Sequence, residues 1–146
     1  MIQPKVDSGA TAIAVANEGI VWWAQLIVVL GALLTAAGAV IALIHPAMLV
    51  SPRDEINGAV RIFAGYLAAR NLGLAAALLA LLAIRAKRAL GQLLALVGFI
   101  QIIDTVVDCF EGRWPVVPGV FILGTIFLIG ATRLCGPLWK RQAWTV

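Results

Sequence analysis

A chain of 146 residues that is 62% hydrophobic and only 12% charged does not have the make-up of a soluble domain, which is about 45–50% apolar and about 25% charged. Its net charge of +4, with a pI near 9.7 and a mean hydropathy of +1.01, would also suit a nucleic-acid binder. Most of the basic residues flank long apolar runs, however, and there they act as topology signals of an integral membrane protein. No nucleic-acid partner is expected.

Residues 1–18 are mixed and small, and the alanines around Ala12 and Ala16 suit a helix extension, a surface segment or disorder equally. The first long apolar run, 20–44, exceeds a signal-peptide core, and no small-residue cleavage site clearly follows it. It is therefore expected to be the first transmembrane helix. Trp22 and Trp23 stand at its start, where aromatic belts form, and His45 and Pro46 end it. Gly31, Thr35 and Ala39 recur every fourth residue and predict a seam for close helix approach. In the following loop, Ser51 and Pro52 can cap and open the next helix, with Asp54 and Glu55 in its first turn.

The second and third spans are predicted at 58–84 and 89–110, joined by the basic turn Arg85-Ala86-Lys87-Arg88. Gly65, Ala69, Gly73 and Ala77 form a small-residue ladder that predicts helix–helix contact and leaves room for a homo-oligomer through such Gly/Ala seams. A turn this tight makes the two spans an antiparallel hairpin, so depth can be counted from it. Arg70 lies about 16 residues before the turn centre and Asp104 about 17 after it, about 25 Å along each helix at 1.5 Å per residue. The same count sets Tyr66 level with Asp108, and Arg61 level with Glu111. Gln101, Asp104, Asp108 and Glu111 recur on one face of the third span. Asn71 adds a polar group near the deepest pair.

The fourth span is predicted at 116–134, with Gly119, Gly124 and Gly130 for packing. The tail, with Trp139 and Trp144 among basic residues, is expected to lie along the membrane surface. Four spans place both termini and the 85–88 turn on one side. That side carries Lys5, Arg85, Lys87, Arg88, Arg133, Lys140 and Arg141, against Arg53 and Arg113 on the other. The positive-inside rule then orients both termini to the cytoplasm of a bacterial inner membrane. The fold class expected is an all-α, integral membrane four-helix bundle forming a single domain, with the lipid bilayer as its surroundings.

An ionisable residue in hydrocarbon costs about 2.5 kcal/mol or more, which makes it a functional hypothesis by default. The expected catalytic residues are Asp104, Asp108, Arg70 and Tyr66, with Gln101, Asn71, Arg61 and Glu111 binding substrate. Several acceptors around one arginine, with a tyrosine nearby, suit acid–base work in a cavity opening toward the outer leaflet. On that reading one carboxylate stays ionised against Arg70 while the other holds its proton. An Arg–Asp pair that merely locks two helices in register is the other reading. The sequence offers no metal constellation, phosphate loop or nucleophile triad, so no metal or cofactor is expected. Cys109 and Cys135 fall at opposite membrane faces and are expected to stay unbridged. His45, the single histidine, suits a helix cap or a pocket rim.

The Gly58-x-x-Arg61 start, the Ala69-Arg70-Asn71-Leu72-Gly73-Leu74 run, the Arg85-Ala86-Lys87-Arg88 turn and the following Asp104 resemble the small four-helix bacterial membrane proteins of the DoxX-like superfamily. The resemblance covers roughly residues 57–133. It implies a four-helix bundle and no particular activity.

Three functions follow from the sequence. One is a cofactor-independent isomerase or cyclase acting on a lipophilic small molecule of terpenoid, sterol-like or quinone-like character. Another is a non-enzymatic accessory or scaffold subunit. A proton-coupled carrier is the third, disfavoured by the lack of broken helices and internal repeats.

Overall fold

A bilayer core about 30 Å thick is crossed by about 20 helical residues. In a computed structural model, which describes residues 20–50 and 55–144, four helices meet that length and are apolar enough to span. They are α1 (Trp22–Ile44), α2 (Gly58–Ala83), α3 (Lys87–Phe110) and α4 (Val117–Cys135). Short 3-10 turns at Pro46–Leu49 and Arg141–Ala143 complete the regular structure, and no strand occurs among the described residues. The described residues are thus all-helical, with four helices of the length and apolarity that suit a multi-pass membrane protein and with boundaries within two residues of those expected.

The helix ends follow from local chemistry. His45 ends α1, its N–H donating to the Ile41 carbonyl at 2.8 Å, and Pro46 blocks continuation. The cap of α2 is Asn57, whose side-chain oxygen accepts from the Val60 N–H at 3.1 Å. An amide oxygen just before the first turn is the group that satisfies an orphan N–H there. Residues 51–54, and with them the expected roles of Ser51, Pro52 and Arg53, lie outside the described residues, as does Lys5.

The two inter-helix turns close by the same device. After α2, the Ala86 N–H donates to the Leu81 carbonyl and the Arg85 N–H to the Leu82 carbonyl, both at 3.0 Å. After α3, the Arg113 N–H donates to the Asp108 carbonyl at 2.8 Å and the Gly112 N–H to the Cys109 carbonyl at 3.2 Å. Both are Schellman caps, which need a left-handed residue at the pivot. Gly112 supplies it at φ +68°, and Arg85 at φ +54°.

Packing is dominated by α3 against α4 and by α1 against α2, while α2 and α3 lie loosely side by side. With lipid outside, helices gain little hydrophobic energy by associating, so close contact depends on small residues facing one another. A Cβ on Gly98 would stand 3.0 Å from the Gly124 carbonyl oxygen, and one on Gly91 would stand 2.9 Å from the Leu134 Cβ. A Cβ on Gly31 would run into the Phe127 ring. The Gly31, Thr35 and Ala39 seam of α1 is buried as expected.

The α2 ladder is not part of the core. A Cβ on Gly65 or Gly73 would meet nothing within 4 Å, and Ala69 is exposed. The face of α2 that packs inward is Ala64, Ala68, Ala75 and Leu78. All four helices turn large side chains outward, among them Leu33, Phe63, Phe99, Phe121 and Ile122.

Candidate functional site

A cavity of about 470 Å³ lies where α2 and α3 stand apart. Its walls are mainly apolar, with Leu34 and Ile41 from α1, Leu67 from α2, Ile100 from α3 and Val120 from α4. Seven polar residues line it as well: Thr35, Arg70, Asn71, Gln101, Asp104, Asp108 and Arg113.

Arg70 Nη2 donates to Asp104 Oδ2 at 3.2 Å, the pairing that counting from the turn predicts. It is the middle of α2 facing the C-terminal half of α3. Both side chains remain partly open, at 41% and 35% exposure. The reason is the looseness of the α2–α3 contact, which leaves the pair on an open flank of the bundle. Gln101 lies one turn before Asp104, and Asn71 is beside Arg70. The Asn71 amide packs near Gly38 of α1, within 3.6 Å of where a Cβ would sit. Amide donors and acceptors therefore flank the ion pair on both helices.

Asp108 is paired differently from the expectation. Its partner is Arg113, with Nη1 3.0 Å from Asp108 Oδ1, and the two side chains are 30% and 12% exposed. Arg113 also donates from Nη2 to the Met48 carbonyl at 3.2 Å, across to the turn that follows α1. The Schellman cap explains this reach. Gly112 reverses the chain so that Arg113 returns over the last turn of α3, and its backbone N–H bonds Asp108 before its side chain does. The signal was present as an aspartate followed four residues later by Gly-Arg, a C-cap pattern with a charge beyond it.

Tyr66 is 70% exposed and lies outside the cavity, so the expected Tyr66–Asp108 contact is absent. The count from the turn was right about depth and silent about azimuth. Tyr66 is four residues before Arg70, which rotates it about 40° round the helix, here away from the core. Arg61 is exposed near the start of α2, and Glu111 is exposed as the C-cap of α3. Neither lines the cavity, and no ion pair joins them. The cavity thus gathers Arg70, Asn71, Gln101, Asp104 and Asp108 of the eight residues expected, and adds Arg113.

His45 is exposed at the end of α1, away from the cavity. Cys109 and Cys135 are free thiols near the ends of α3 and α4. No group of three or more His, Cys, Asp or Glu among the described residues is arranged to hold a metal ion.

The two ion pairs balance charge for charge. Each carboxylate faces a guanidinium of its own, so neither Asp104 nor Asp108 stands without a counter-charge. The more exposed pair keeps capacity for chemistry: one oxygen of Asp104, the remaining N–H groups of Arg70, and the amides of Gln101 and Asn71 beside them. No protein-family model, curated protein or solved structure matches the chain.

Proposed function

We propose that the cavity takes a lipophilic small molecule carrying a carbonyl, of terpenoid, sterol-like or quinone-like character, and that the protein isomerises it without a cofactor. Asp104 is the base. Its carboxylate removes a proton from the carbon next to the carbonyl, while Arg70, with Gln101 or Asn71, donates hydrogen bonds to the oxygen as negative charge gathers there. In a β,γ-unsaturated carbonyl compound the same proton, now on Asp104, returns to the γ carbon at the far end of the dienolate, which moves the double bond into conjugation and restores the carboxylate.

The single observation that carries this reading is the half-open Arg70–Asp104 pair on the wall of a mainly apolar cavity of about 470 Å³. Acid-initiated cyclisation is less well supported, because it requires a carboxyl without a counter-charge and both carboxylates have arginines. The test is formation of the conjugated isomer from a β,γ-unsaturated terpenoid or sterol-like ketone by the protein in lipid nanodiscs. Asp104→Asn should abolish it with the fold intact. Turnover near the wild-type rate in that variant would sink the idea.

A non-enzymatic scaffold or accessory subunit is the second reading, favoured by the way Arg113 ties α3 to the turn after α1. It requires Asp104→Asn to impair folding or assembly. The same proposal includes the DoxX-like resemblance and insertion in a bacterial inner membrane with both termini in the cytoplasm. Supporting that orientation, Arg85, Lys87, Arg88, Arg133, Lys140 and Arg141 share one end of the bundle. A homo-oligomer through α2 also belongs here, supported by the outward Gly65 and Gly73.

A further inference from the structure

The end of the bundle far from the Asp108–Arg113 corner carries a charge pattern that the cavity does not use. Arg85, Lys87 and Arg88 lie in the α2–α3 turn and the first turn of α3, Arg133 in the last turn of α4, and Lys140 and Arg141 in the tail. The acidic residues among those described are Glu55, Asp104, Asp108 and Glu111, and all of them lie in the half of the molecule nearer that corner. None of the six basic side chains is in an ion pair with a described carboxylate. Two of them, Lys87 and Arg88, stand at the positive end of the α3 dipole with no acidic residue in that turn, which raises the local potential further.

The tail is built and not loose. Gly136, at φ +85°, turns the chain out of α4. The Lys140 N–H then donates to the Pro137 carbonyl at 2.9 Å, and the Trp144 indole N–H to the Leu138 carbonyl at 2.7 Å. Gln92 of α3 donates to the Ala143 carbonyl at 2.9 Å, and Ala143 is buried against the bundle. Gln92 is one turn beyond Arg88, and Gly91 abuts Leu134 and Cys135, so α3, α4 and the tail meet at this corner. The consequence is a fixed knot that presents Lys140 and Arg141 outward, with Trp139 beside them 82% exposed. Trp22, at the start of α1, is also exposed at this end.

We infer that this corner is a binding surface for the phosphate headgroup of anionic phospholipids, with Arg88, Lys140 and Arg141 contacting the phosphate and Trp139 seated at the headgroup level. Several cations beside transmembrane helix ends, none paired with a described carboxylate, attract anionic lipid. An exposed indole in the same loop fits the interface, where its ring is half in hydrocarbon and its N–H is wet. A nucleic-acid surface would need the cations clear of the bilayer, and these are within a few residues of the spans. The inference stands independently of any reaction in the cavity.

The test uses the full chain in detergent, offered equal amounts of phosphatidylglycerol and phosphatidylcholine, with retained lipid counted by native mass spectrometry. Phosphatidylglycerol should be retained preferentially. Arg88→Gln and the double change Lys140→Gln with Arg141→Gln should each cut that preference, by about fivefold for each charge removed. Arg61→Gln, near the opposite end, should leave it unchanged, and thermal unfolding should show all the variants folded. Equal retention of the two lipids would overturn the inference. So would a preference that survives the basic-end changes, one lost equally in Arg61→Gln, or retention of a short RNA duplex in place of the lipid.

Discussion

The flank where α3 meets α4 is closed, and the flank between α2 and α3 is open, although α2 and α3 share the shorter turn. At the closed flank Gly91, Gly98 and Gly124 bring backbones together, and Asp108 is held by Arg113, which also bonds the Met48 carbonyl. At the open flank no glycine of α2 faces α3, and Arg70 and Asp104 meet by one contact with unused capacity on each side. Two ion pairs made from the same residue types therefore do different things. The pair tied through Arg113 to the Met48 carbonyl braces separate elements, whereas the more exposed Arg70–Asp104 pair stands open to a guest in the cavity. The shortness of a connection decides which helices are neighbours in the chain. Small residues on facing surfaces decide which ones close up.

The sharpest way to break this contrast is to remove one partner at each flank. Asp108→Ala should cost about 3 kcal/mol of stability, because it strands the Arg113 guanidinium in a largely enclosed site. Unfolding in detergent would measure that loss, and a variant as stable as the parent would show the closed pair to be dispensable. Next in size, Gly98→Val should cost about 1–3 kcal/mol, since its side chain enters a seam already in contact with the Gly124 carbonyl and Leu128. Asp104→Asn should change stability by less than about 1 kcal/mol, because exposed ion pairs contribute little. Its turnover of a β,γ-unsaturated ketone should nevertheless fall about 100-fold, the usual scale for a lost general base. The smallest effect is expected at Gly73→Leu, within about 0.5 kcal/mol of the parent, as its surroundings are empty. Cross-linking of that variant in membranes also reports on association through α2. Loss of a cross-linked dimer would show that the outward ladder is an interface between copies, and an unchanged pattern would leave that face to lipid.

Much of the site could be read before any coordinates. Arg70 facing Asp104 followed from counting residues away from a tight turn, because helical rise is constant and a hairpin has a single origin. Asp108 was misassigned because the count carries no azimuth and because its true partner lies in the turn after α3. Arg113 sits in a loop, where topology counting uses it as one positive charge and nothing more. Only the left-handed Gly112 folds it back onto α3. The α2 ladder was a clear pattern that contacts within the bundle do not use, since periodicity identifies a stripe and leaves open what covers it.

The sequence by itself determined that four apolar segments form helices of membrane-spanning length, where those helices begin and end, and that charges stand at matching depth in the second and third. These depend on composition, hydropathy and helical rise, all local or additive along the chain. Only the tertiary structure decided which helices close together, which pair is sealed and which stays open, and that a cavity of about 470 Å³ lies beside the open one. Those depend on the rotation of each helix about its own axis. That rotation is set by the fit of residues such as Gly31 beneath Phe127 and Gly98 against Gly124, partners far apart in the sequence.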